Sequence, residues 1–97
     1  MKGKKTIHID NVQFTSAGHA EVESGLLGWI RFRLNRSLLL DGLALRRTLE
    51  GRLTLSFPAR QDGTCRQHFY FKPLDNDTRL EIERQVFTAL GMREDAA

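Results

Sequence analysis

Eight side chains raise the first chemical question: Arg31, Arg33, Arg52, Arg60, Arg66, Tyr70, Lys72 and Arg79. Arginine offers forked donors that match phosphate oxygens, and lysine offers a point charge for the same partner. An exposed tyrosine can stack an unpaired base. Spread over one surface, these residue types hold a polyanion. The placement of charge points the same way. Between Arg31 and Arg66 eight arginines stand against three acids, whereas from Leu74 to the end three stand against six. A basic middle beside an acidic tail attracts polyanions to one side of a molecule. The same arginines also fit a sheet face kept soluble by charge, and charge alone favours that plainer reading.

Other chemistry finds little support. His8, His19 and His68 are far apart in sequence, and Cys65 is the single cysteine, so no zinc-ligand spacing and no intrachain disulfide exist. On a strand Cys65 and His68 point to opposite faces, which disfavours a Cys–His pair. Asp77 and Glu81 have helical i, i+4 spacing, but Asp75 and Asp77 are better explained as helix caps, and no second cluster of ligands joins Glu81 and Glu83 to make a catalytic carboxylate pair. There is no Gly-rich phosphate loop and no nucleophile-elbow motif. The reading is of a non-enzyme with no cofactor and no metal. Two smaller basic groups, Arg46-Arg47 and the arm Lys2, Lys4 and Lys5, would add nonspecific affinity but read first as a solvated turn and terminus.

The elements that must position these residues follow from periodicity. The 97 residues carry 40% hydrophobic and 28% charged side chains, which suits one compact domain spanning residues 1–97. From Lys5 to Phe14 the chain alternates with period two, with a change of phase near Asp10-Asn11. Residues 15–25 are polar and read as a loop or weak strand end. In 26–34, Ile30, Phe32 and Leu34 oppose Arg31 and Arg33, and Asn35-Arg36 follows as a tight turn. Leu38–Leu40 is a strand with a possible second half after Gly42. Leu53, Leu55 and Phe57 oppose Arg52, Thr54 and Ser56. Pro58 ends that strand, Asp62-Gly63 signals a hairpin, and 66–72 forms the last strand. Trp29 reads first as core or dimer interface, with a stacking role as second choice.

After Pro73 the pattern changes to that of a helix. Thr78 to Glu81 has capping-box spacing, Ile82, Val86, Phe87 and Leu90 form an apolar stripe, Arg79, Glu83 and Arg84 lie outside it, and Gly91 suits the C-cap. The expected fold is α+β: an antiparallel sheet of about five strands followed by one C-terminal helix packed on it. Arg31, Arg33, Arg52 and Tyr70 would share the opposite face if their strands are neighbours. The leader MKGKKTIHID lacks an apolar stretch, the longest apolar run is too short for a membrane span, and one cysteine suits a reducing compartment, so a cytoplasmic protein is expected.

Read together, residues 28–91 resemble a divergent member of the SpoVG family of bacterial septation and sporulation regulators. Asp41 after an apolar strand, the strand from Gly51 to Pro58, Arg60 two residues on, Asp62-Gly63, Pro73, and Thr78-Arg79 opening a helix with Ile82 and Val86 carry the resemblance. It implies a small cytoplasmic homodimer that binds DNA, and in some cases RNA, with Arg60 and Arg79 at matching positions. On that basis Arg60→Ala and Arg79→Ala should weaken binding without unfolding the protein. The alternative is a protein–protein adaptor of the same fold, acting through exposed strand edges or the Leu38–Leu45 run.

Overall fold

The computed structural model describes residues 7–91; the Lys2, Lys4 and Lys5 arm and the segment after Gly91 lie outside them. Strand β1 (Ile9–Ser16), a short helix α1 (His19–Glu23), β2 (Leu26–Leu34), β3 (Leu38–Arg47) and β4 (Leu53–Ser56) come first. They are followed by β5 (Ala59–Gln61), β6 (Gln67–Phe69) and helix α2 (Asn76–Leu90). Strands β1 to β4 form one antiparallel sheet in chain order, and β5 pairs only with β6. The α+β class is as expected, but there are six strands where about five were expected, four in a meander and two in a separate hairpin. The polar stretch after β1, expected as a loop, contains α1.

Local chemistry sets the turns. Asn35 and Arg36 both have positive φ, 50° and 58°. The Ser37 amide donates to the Leu34 carbonyl at 2.9 Å, closing the two-residue turn whose twist matches that of the flanking strands. The phase change near Asp10-Asn11 is a bulge: Asp10 pairs with Arg33, Gln13 pairs with Arg31, and Asn11 sits at φ 53°. The second half expected after Gly42 belongs to the same strand. Phe32 pairs with Leu40 and Ile30 with Leu43, so Asp41-Gly42 is a second bulge, with the Asp41 carboxylate accepting the Gly42 amide at 2.7 Å. Gly28 is buried because the Phe14 ring lies over it; a Cβ there would meet that ring at 2.6 Å and run into the Thr15 carbonyl.

The alternation read in the sequence then builds the core. Ile30, Phe32, Leu43, Leu45, Leu53 and Leu55 are buried on one sheet face and receive Ile82, Val86 and Phe87 of α2. Each such side chain contributes about 1.5–3 kcal/mol on full burial. The helix begins one turn earlier than the capping-box spacing suggests. Its N-cap is Asp75, whose carboxylate accepts the Thr78 amide at 2.8 Å, and Gly91 ends it in the left-handed conformation. The last strand is shorter than expected. Phe71 turns inward to meet Phe57 edge-to-face, 6.1 Å between ring centroids, so the ladder stops at Phe69.

Helix α2 also closes both edges of the main sheet, and here the sequence reading of Glu83 is corrected. Expected outside the apolar stripe, Glu83 is buried at 4% exposure. The Leu55 amide on edge strand β4 donates to Glu83 Oε2 at 3.1 Å, and the Leu55 carbonyl accepts from Arg79 Nη2 at 3.3 Å. On the β1 side the Gln85 carboxamide accepts the Ile9 amide at 2.9 Å and donates to the Ile7 carbonyl at 2.7 Å. Side chains thus take the place of a neighbouring strand at both edges, which removes a template for unwanted pairing.

Candidate nucleic-acid interface

Strand parity places Trp29, Arg31 and Arg33 on the face of β2 opposite the core. Trp29 lies between Thr15 and Ala44, Arg31 beside Gln13, and Arg33 between Asp10 and Leu39. Arg31 is exposed, and so is Trp29, at 41%. Arg46, exposed and paired with Thr54 on β4, extends the same face. Arg33 is committed elsewhere: Nε donates to Asp10 Oδ1 at 2.7 Å and Nη2 to Oδ2 at 2.8 Å. This forked bond holds the Asp10 carboxyl below its usual range and raises the guanidinium. Arg33 therefore fixes the sheet face, and Arg31 is without an ion-pair partner among the described residues.

The other expected members of this face lie elsewhere. Arg52 precedes β4 and lines a recess of about 470 Å³ with Glu50, Asn76, Arg79, Leu80 and Glu83. Tyr70 follows the β5–β6 hairpin, which does not pair with the main sheet, and is 66% exposed. The shared face of Arg31, Arg33, Arg52 and Tyr70 does not form, because Pro58 and Pro73 bound a hairpin of its own and Arg52 sits at the helix side of the sheet edge.

Arg79 is built into the fold. Its Nη2 donates to Thr54 Oγ1 at 2.7 Å as well as to the Leu55 carbonyl. Its Nε is buried 3.5 Å from Glu83 Oε2, an ion-pair contact without a hydrogen-bond partner among the described residues. The Thr54 hydroxyl in turn donates to Glu83 Oε2 at 3.3 Å. Arg79→Ala is therefore expected to cost stability in addition to any loss of binding.

The hairpin presents the remaining cations. Arg60 is exposed and pairs across the ladder with His68, and Arg66 is exposed at the turn. The turn is held by Asp62. Its Oδ1 accepts from the Thr64 amide at 2.8 Å, the Thr64 hydroxyl at 2.7 Å and the Arg66 amide at 3.1 Å, while Oδ2 lies 2.7 Å from His68 Nε2. These contacts, that of His68 foremost, push the Asp62 pKa far down. The left-handed position of the turn is filled by Cys65, at φ 65°, and not by Gly63. Lys72 Nζ lies 5.0 Å from the centroid of Phe69, a cation–π contact at the base of the hairpin.

The eight residues thus fall into three groups: Arg31 and Arg33 on the sheet face, Arg52 and Arg79 at the β4–α2 edge, and Arg60, Arg66, Tyr70 and Lys72 on and after the hairpin. Trp29 and Arg46, which the sequence offered only as second choices, join Arg31 on the sheet face, and Phe69 is the addition that the structure makes. Parity had the signal for Trp29, which stands two residues before Arg31 on one strand and so shares its face. Among the described residues no three His, Cys, Asp or Glu side chains gather to hold a metal ion, and no helix is long and apolar enough to cross a membrane.

The class that fold and site define is a small α+β domain with an uncovered basic and aromatic sheet face and a basic hairpin. The chain matches no family model, and no curated protein matches its sequence.

Proposed function

We propose that this protein is a small non-enzymatic regulator that binds nucleic acid, DNA or RNA, in the cytoplasm, as a homodimer. The observation that carries the reading is the sheet face opposite α2. There Arg31 and Arg46 stand with exposed Trp29 among the small or polar residues Gln13, Thr15, Ala44 and Ser56. Arginines hold the phosphate backbone and the indole supplies a stacking surface. Arg60 and Arg66 on the hairpin extend the cationic surface, and the resemblance of residues 28–91 to the SpoVG family supports the same assignment. Arg31→Ser combined with Arg60→Ser tests it. Both side chains are exposed, so the fold is retained while affinity for a labelled mixed-sequence oligonucleotide at low salt falls about tenfold or more. An unchanged affinity contradicts the residue assignment.

The adaptor reading is favoured by a different observation. An apolar groove of about 440 Å³ runs between the β2–β3 turn and the segment before α2, lined by Leu34, Leu38, Leu40, Phe71, Leu74 and Ile82 among others. Leu38 and Leu39 are each 59% exposed. Surfaces of this kind serve association, with a second copy or with another protein. The strand edges are less suited to it, since Gln85 and the Arg79–Glu83 pair occupy their backbone groups at Ile9 and Leu55.

A further inference from the structure

A recess of about 330 Å³ lies where the end of β4, the β5–β6 hairpin and the approach to α2 meet. Phe57, Phe69 and Pro73 give it apolar walls, and Gln67, Lys72 and Arg79 line it with polar groups. We propose that this recess takes one unpaired nucleobase together with its phosphate, so that the protein selects single strands over duplexes. The proposal rests on the nucleic-acid reading above and narrows it.

The chemistry is specific to a nucleotide in three respects. Phe69 is 41% exposed, and a ring at the mouth of a recess is a stacking surface for any base. Gln67 carries both a donor and an acceptor in one planar amide, which matches the edge of a base that has no pairing partner. Lys72 holds its ammonium over the Phe69 ring, 5.0 Å from the centroid, so a base stacking on that face takes the cation's place and releases the ammonium to the phosphate. A nucleotide satisfies both at once, base against ring and phosphate against ammonium. Arg79, whose charge is shared with Glu83, adds guanidinium donors whose position is set beforehand, because Nη2 is bound to Thr54 and Leu55. The volume is at the lower end of the range for small-molecule sites, which suits one base and not an aromatic pair. Bases within a duplex are stacked and paired, and they reach such a recess only when extruded.

The test compares labelled oligodeoxythymidylate and oligouridylate with a mixed-sequence duplex of equal length, at one salt concentration, by fluorescence anisotropy of the full chain. The expected result is single-strand binding at least tenfold tighter than duplex binding. Phe69→Leu keeps an apolar side chain and removes the ring. It should lower single-strand affinity about tenfold and leave duplex affinity unchanged. Lys72→Gln, an exposed change, should weaken single-strand binding further than duplex binding. Equal affinity for single strand and duplex, or a Phe69→Leu variant that behaves as the parent, overturns the recess and leaves the wider reading in place. No binding to any of the three overturns both.

Discussion

Leu55 on edge strand β4 and Glu83 on α2 are joined by a 3.1 Å hydrogen bond from backbone amide to buried carboxylate. A helical side chain thereby completes a sheet edge. Arg79 completes the same residue from its carbonyl side at 3.3 Å. The pair is structural first, and any role of Arg79 toward a polyanion is exercised from that fixed position.

Glu83→Ala leaves the Leu55 amide buried without an acceptor and should cost about 2–3 kcal/mol. Arg79→Ala leaves the carboxylate without its cation. Because the arginine side chain is 43% exposed, solvent screens part of that loss, and the expected cost is about 1–2 kcal/mol. Urea unfolding of the two variants gives the order directly. If Arg79→Ala unfolds at the parent midpoint, the edge-closing role is wrong.

Gln85 should guard the other edge. Its replacement by alanine removes two hydrogen bonds from the backbone of Ile7 and Ile9, at about 1 kcal/mol in all. Amide hydrogen exchange is the sensitive readout. The Ile9 amide should exchange markedly faster in Gln85→Ala, while amides of β3 keep their protection.

Cys65→Gly should stabilise the protein by about 1 kcal/mol, since a side chain at φ 65° is disfavoured where glycine is not. Thermal unfolding reads the change. A lower midpoint would mean that the thiol makes a contribution larger than the backbone cost.

Asp62 predicts a pH dependence with a definite sign. Its folded pKa is depressed, so the stability it contributes is fully present above the unfolded carboxylate value of about 4 and is lost as pH falls through the lower folded value. In a pH titration followed by amide NMR, the Thr64 and Arg66 signals should hold through about pH 4 and move only in stronger acid. Movement centred on the ordinary carboxylate range would show that the turn does not depend on the charge.

Much of the fold was legible in the sequence because alternation is a direct consequence of a half-buried strand. Ile30, Phe32, Leu53 and Leu55 were placed by period two, the Asn35-Arg36 turn by the tolerance of Asn for positive φ, and the phase change at Asp10-Asn11 by its break in pattern. Glu83 was misplaced because helical periodicity describes one face and says nothing about an edge strand that needs an acceptor. Asp75 was among the capping types at 75–78, but sequence does not choose among them, and the backbone places the N-cap at Asp75. Of the site, Arg31 was legible, whereas the partner of Arg33 depended on strand register, which fixes Asp10 opposite it. The separation of Tyr70 from the sheet face was not legible, since nothing in 66–72 shows that Phe71 turns inward to Phe57.

The most direct test of the nucleic-acid reading is the slope of log Kd against log salt for the parent protein and a labelled oligonucleotide. Arg31, Arg46, Arg60 and Arg66 engaging about four phosphates predict that log affinity falls with a slope near −3. The Arg31→Ser, Arg60→Ser variant should lose about half of that slope. Absence of binding at low salt, or binding with a slope near zero, would contradict the reading and return the arginines to the role of solvated surface.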